Sequence, residues 1–180
     1  DMEILVNEVL AVEKALGASL QGRLFIDPRA IVISREDKRA SMASKRFYSL
    51  GGTSKGASSA LCHRINRKGE PKQIGEDSTG LVSRLVEDTA LLLHKALDNG
   101  EKILIEGTQG AHLDMVFGEW HYTTHRMCNT ASLLAEAGLP PNIDVKVGLV
   151  ARTYPIRVAG NSGPLPLEIT WPQLLYRRGY

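Results

Sequence analysis

The sequence predicts an α/β fold, a mainly parallel sheet flanked by helices, and three observations predict it. Short apolar runs of strand length alternate with stretches whose apolar residues recur at helical spacing. One run, Ile103-Leu104-Ile105, is apolar without alternation, as suits a strand buried on both faces. It ends in Glu106-Gly107-Thr108-Gln109-Gly110, polar side chains between two glycines at the strand's carboxyl end, where open α/β sheets bind ligands.

The elements follow in chain order. Ile4, Leu5, Val9, Val12 and Leu16 share one helical face, and Gly17 supplies a stop. Residues 24–26 and 31–33 read as short strands on either side of an Asp27-Pro28 turn. Ser34 with Asp37 three residues on is a capping-box pattern, opening a helix that carries Lys38, Arg39, Met42 and Lys45. Residues 51–80 are glycine-bearing and polar, hence loop, with a short helix at 60–65. Leu81, Leu85, Leu92, Leu93 and Ala96 predict a helix over 81–97, closed by Asn99-Gly100. After the strand at 103–106 comes a loop to His125, then a helix over 130–137 ended by Gly138 and Pro140. Residues 145–150 and 154–158 are strand-like, 160–164 a turn-rich loop, and Trp171 begins a further helix.

Composition excludes several classes. The 180 residues can bury one substantial core, so residues 1–180 read as a single segment. A net charge of +2 gives no support to nucleic-acid binding, and the basic run from Arg64 to Lys68 lacks the aromatic platforms that single strands stack on. No apolar run reaches membrane-spanning length. Two cysteines, Cys62 and Cys128, with no metal-type spacing, predict free thiols and a cytoplasmic location. An Asp1-Met2 start and an aromatic-basic end predict an excerpt of a longer polypeptide.

The chemistry-bearing residues gather in three loops. Gly51-Gly52-Thr53-Ser54-Lys55-Gly56 combines free backbone N–H groups, two hydroxyls and an ammonium, which suits a phosphate monoester or a flexible turn equally. Its spacing is not that of a P-loop. Thr123-Thr124-His125-Arg126 offers hydroxyls and a guanidinium to the same kind of group, or simply a polar helix entry. Gln109 offers an amide that both donates and accepts, at the strand's end. Asp114 and Glu119 lie nearby without evident partners for acid–base work, and only His121 and His125 have the i, i+4 spacing of metal-binding histidines.

Taken in order, these loops resemble the adenylosuccinate synthetase family. Its E-G-A-Q-G-x-x-L-D stretch is matched by Glu106-Gly107-Thr108-Gln109-Gly110 and Leu113-Asp114, and its G-x-Y-P-Y-V-T stretch by Gly118 and Tyr122-Thr123-Thr124. Its G-T-T-G-R-G loop resembles residues 51–56, and its T-R-V-G-x-G-P segment resembles Ile156-Arg157-Val158-Ala159 with Gly163-Pro164. The resemblance implies a larger synthetase fold, a cytoplasmic homodimer, and the GTP- and Mg²⁺-dependent joining of L-aspartate to inosine monophosphate (IMP) in purine biosynthesis. It also implies roles: Gln109 on the nucleotide, Thr53 and Thr124 on the 5′-phosphate, Val158 beside the ribose. Arg67, or Arg64 as the alternative, would cross to the partner subunit's phosphate.

The departures bound that expectation. The family's amino-terminal G-D-E-G-K-G element, its catalytic histidine and its T-K-x-D guanine-reading segment have no counterpart here. No catalytic residue and no magnesium ligand is therefore assigned in this segment, which by itself is expected to be inactive. Thr153-Tyr154-Pro155-Ile156-Arg157-Val158 and Asn161-Ser162-Gly163-Pro164 resemble archaeal and viral-type members, some of which take dGMP, so IMP with GTP and dGMP with GTP or ATP both stand. A non-catalytic nucleotide-binding or oligomerisation module is the alternative of another class.

Overall fold

A computed structural model of the chain describes residues 1–44, 53–67, 73–77, 80–153, 167 and 169–177. The first helix, α1 (Met2–Leu16), stops where Gly17 takes a left-handed conformation (φ 63°) and returns its N–H to the Glu13 carbonyl. Ser34 and Asp37 form the reciprocal cap foreseen, opening α2 (Arg35–Ala43). Lys45 lies outside the described residues. Helix α3 (Ala57–Asn66) begins three residues earlier than expected and packs on α2. Gly56 makes that packing possible. Its φ is 91°, and a Cβ there would stand 2.8 Å from Ile33 Cγ2 and 3.0 Å from the Lys38 nitrogen.

A single turn, α4 (Ile74–Asp77), and a 3₁₀ segment (Val82–Leu85) follow, and here the structure departs from the helix expected over 81–97. Val86 leaves the helical path to pair with Ile26 in a parallel bridge, Ile26 N–H reaching the Leu85 carbonyl at 2.8 Å and Glu87 N–H the Ile26 carbonyl at 3.1 Å. Asp88 then caps a new helix, α5 (Thr89–Asp98), accepting from Leu91 N–H. The apolar period continued across a break that a tertiary pairing and an aspartate impose. Arg29 holds the junction: its guanidinium donates to Asp27 at 2.7 and 2.8 Å and to Asp88 at 2.8 Å. Asp27 in turn accepts from the Thr89 hydroxyl at 2.8 Å. These donors, led by Arg29, hold the Asp27 carboxyl far below its usual range.

Helix α6 (Thr130–Glu136), capped by Asn129, runs into Gly138. A Cβ on Gly138 would meet Ala90 Cβ of α5 at 2.7 Å, and His94 Nε2 lies 2.9 Å from the Gly138 carbonyl oxygen. His94 is thus a surface residue whose ring meets the end of α6. Helix α7 (Trp171–Arg177) closes the described chain. Among the described residues the buried apolar ones are Val9, Ala60, Ile74, Val82, Leu85, Leu134 and Leu139.

The strand expectations fare differently. Among the described residues, runs 24–26 and 31–33 contribute only the bridge to Val86 and an antiparallel one from Ile31 to Gln73. Runs 103–106 and 145–150 carry no ladder among the described residues, and their outward side chains are solvated. The expected strand at 154–158 lies outside the described residues.

Candidate functional site

The loop from Gly110 to Cys128 is organised by Asp114, which is 3 % exposed. One carboxylate oxygen accepts from the Val116 and Phe117 N–H groups at 2.8 and 3.0 Å, and the other from Cys128 N–H at 2.6 Å. Those bonds, Cys128's first, hold the carboxyl below its ordinary value. Asp114 is therefore an acceptor committed to backbone, which explains why no acid–base partner accompanies it. Gly118 completes the turn, since a Cβ there would stand 2.4 Å from the Asp114 carbonyl oxygen. The two arms are tied by Thr124 N–H to the Leu113 carbonyl at 2.7 Å and Met115 N–H to the Arg126 carbonyl at 3.1 Å. Thr124 is thereby fixed at the backbone while its side chain is half-buried.

Gln109 sits at the mouth of this loop in a left-handed conformation, φ 65°. Its Oε1 accepts from the Thr108 hydroxyl at 2.8 Å, and the residue is exposed. Behind it, a Cβ on Gly107 would stand 2.5 Å from Leu133 Cδ1, so this extended segment lies against α6.

The glycine-rich loop comes to the same place. Ser58, on the first turn of α3, has its Oγ 3.4 Å from His125 Nδ1. That contact spans 67 residues and joins the amino end of α3 to the Thr123–Arg126 loop. Thr53 and Lys55 are exposed on the approach to α3, and the Ser54 hydroxyl is occluded with no hydrogen-bond partner among the described residues. Asp37, 3 % exposed, is bound by Ser34 and faces His63 Nδ1 at 2.9 Å. Burial alone would raise its carboxyl, but the Ser34 N–H and hydroxyl outweigh that and lower it.

Three sequence expectations are refined. The Arg126 guanidinium, read as a phosphate donor, pairs instead with Glu136 of α6. Arg64 donates to the chain's own Arg29 carbonyl at 3.0 Å, whereas Arg67 is exposed at the carboxyl cap of α3. Among the described residues no three His, Cys, Asp or Glu side chains converge as a metal set, so His121 and His125 assemble none. Gly51, Gly52 and Val158 lie outside the described residues. Sequence reasoning did not foresee the Ser58–His125 contact, which has no local signal. The role of Asp114 did have one, an aspartate followed at short range by a turn glycine.

Comparison with known proteins gives this arrangement a family. The model for adenylosuccinate synthetase matches residues 71–179. The chain belongs to the adenylosuccinate synthetase family. Adenylosuccinate synthetase of Methanococcus maripaludis strain C5 is 30 % identical over 171 residues, covering 94 % of this chain and 48 % of that protein. The Methanocaldococcus jannaschii enzyme is 30 % identical over 172 residues, covering 94 % and 47 %. The chain thus spans about half the length of the curated relatives it matches.

Among solved structures, cyanophage S-2L succinoaminodeoxyadenylate synthetase (PurZ), bound to dGMP and dATP as an energy donor, superposes with TM-score 0.63. It is 29 % identical, over 78 % of this chain and 38 % of that one. Fully ligated adenylosuccinate synthetase from Plasmodium falciparum gives TM-score 0.60 at 17 % identity, over 76 % and 42 %, a likeness of fold alone. The chain therefore has an adenylosuccinate synthetase-like fold and carries the ancestry of a purine ligase. Among the described residues no helix is long and apolar enough to cross a membrane.

Proposed function

We propose that residues 1–180 form the nucleoside-monophosphate-binding and dimer-contact part of a GTP-dependent synthetase that joins L-aspartate to IMP. The observation that carries this reading is the 3.4 Å approach of Ser58 to His125. It brings together two loops, one holding Thr53 and the other Thr124, each with hydroxyl and cationic groups that suit a phosphate. Thr53, Thr124 and the amino end of α3 surround a 5′-phosphate with hydroxyls and N–H groups, and the occluded Ser54 hydroxyl, which has no hydrogen-bond partner among the described residues, is a further donor. Gln109 presents its amide to the purine nucleotide, and Val158 lies beside the ribose. Arg67, exposed where Arg64 is engaged, reaches the partner subunit's phosphate, so the site belongs to a cytoplasmic homodimer. Residues 103–106 and 145–150 take their places in a mainly parallel sheet in the assembled enzyme.

The chain's own part in the reaction is binding and orientation. Mg²⁺ and GTP supply the activation of the purine 6-oxygen when bound, and no residue described here is assigned to either. The displacement by aspartate's amine likewise draws on groups outside this segment.

A second reading is favoured by the likeness to PurZ at 29 % identity. On it, dGMP replaces IMP, the product is a 2-aminoadenine precursor, and ATP or dATP can replace GTP. Calorimetric titration of the protein with IMP and with dGMP, each with and without GTP or ATP, separates the two. Binding of one monophosphate and not the other identifies the branch. Binding of neither by folded protein overturns the reading in favour of a non-catalytic module.

A further inference from the structure

Both chain neighbours of His125 are pinned. Thr124 N–H reaches the Leu113 carbonyl at 2.7 Å, and the Arg126 carbonyl accepts from Met115 N–H at 3.1 Å. His125 between them is exposed, and its Nδ1 lies 3.4 Å from Ser58 Oγ at the amino end of α3. A serine hydroxyl both donates and accepts. It donates to Nδ1 of a neutral imidazole, whose proton is then on Nε2, and it accepts from Nδ1–H of an imidazolium. In either state Nε2–H is left as a donor on the ring's other edge. Protonation therefore changes the charge of the ring without changing which atom it offers.

Most other charged groups of these loops are engaged elsewhere. Arg126 pairs with Glu136, Arg64 donates to the Arg29 carbonyl, and His63 faces Asp37 at 2.9 Å. Asp114 is bound by three backbone N–H groups, and the His121 ring lies against Trp120 with centroids 5.3 Å apart. Glu119 belongs to the same turn, its N–H on the His112 carbonyl at 3.3 Å. Lys55 is exposed on the approach to α3. A phosphate monoester takes its second negative charge at about pH 6, and imidazole is the side chain that ordinarily changes charge between about pH 5 and 8.

We propose that His125 Nε2–H donates to the 5′-phosphate of the bound monophosphate, with Ser58 as the positioning residue, so that affinity is greatest where imidazolium and phosphate dianion coexist. The inference rests on the monophosphate reading above. It adds a conditional charge that the hydroxyls and N–H groups of Thr53, Thr124 and α3 do not carry.

Titration calorimetry of the whole protein with IMP and with dGMP, at about pH 6 and pH 8, tests it. The monophosphate that binds should do so about 5-fold more tightly at the lower pH, and binding at pH 8 should take up protons, seen as a buffer-dependent enthalpy. His125→Gln keeps a neutral donor and loses the charge. It should weaken binding near pH 6, match the wild type at pH 8, and leave the affinity for the free nucleoside unchanged. Ser58→Ala lets the neutral ring carry its proton on Nδ1 and turn a bare nitrogen to the phosphate, so its loss should be larger at pH 8. Circular dichroism of the variants checks folding. A wild-type affinity that does not fall between pH 6 and 8 overturns the role of His125 and leaves the monophosphate reading standing. Equal weakening by His125→Gln at both pH values, or weaker nucleoside binding, overturns it in favour of a structural effect. No binding of either monophosphate by folded protein overturns the inference together with the reading beneath it.

Discussion

Asp114 accepts the Cys128 N–H at 2.6 Å, which places the start of the segment leading into α6 on the same carboxylate that shapes the turn at Val116 and Phe117. The carboxylate must be ionised to accept from all three at full strength.

Asp114→Asn should therefore lower the thermal midpoint at neutral pH, because its amide nitrogen faces N–H donors. The sign of the pH dependence follows from the depressed carboxyl. The stabilisation is complete above the unfolded-state pKa, near 4, and is lost as pH falls through the lower folded value. The gap between wild-type and variant midpoints should be constant from pH 6 to 7 and close below about pH 4. A gap indifferent to acid would assign the loss to side-chain shape instead.

Gly56→Ala should destabilise the protein by about 1–3 kcal/mol, from left-handed backbone strain together with the collision against Ile33 and the α2 backbone. The urea midpoint measures it. Gly110→Ala, where a Cβ would meet nothing within 4 Å, is the matched control and should cost far less.

Gln109→Ala should weaken monophosphate binding by about 1–3 kcal/mol, through loss of a buried amide partner in the bound state. Gln109→Gly separates amide from backbone, because glycine accepts φ 65° without strain. Equal loss in both variants places the effect in the amide. Loss in alanine alone would place it in the loop's conformation.

Arg67→Leu should reduce nucleotide affinity in the dimer and leave an enforced monomer unchanged. Arg64→Leu should instead lower stability in both, since its guanidinium holds the Arg29 carbonyl of its own chain. Titration calorimetry beside sedimentation distinguishes the two. Equal affinity loss in monomer and dimer for Arg67→Leu rules out a cross-subunit role.

What the sequence made legible was local. The Gly17 stop, the Ser34–Asp37 cap and the Gly138 terminus each depend on residues within one turn of their effect, so spacing was enough. The helix at 81–97 was misjudged because Leu81 and Leu85 keep the period of α5, while the break at Val86 depends on Ile26, sixty residues away. Gln109 and Thr124 could be singled out by residue type and neighbours. That Ser58 would meet His125, or that Arg126 would be taken by Glu136, depends on how separate loops pack, and no window of sequence contains it.

The seat of Gly56 against Asp37 and Lys38 has a thermodynamic corollary. The approach to Thr53 and the capping box of α2 share one packed arrangement, so equilibria at the two are linked, and linkage is reciprocal. Any ligand that favours this arrangement of the glycine loop must also favour the ionised form of Asp37 that the cap requires, drawing its pKa lower still. Conversely, acid that titrates Asp37 must loosen that ligand without touching it. Proton uptake on ligand release, measured in weakly buffered acid where a lowered carboxyl titrates, would then report on a carboxylate that the ligand never meets.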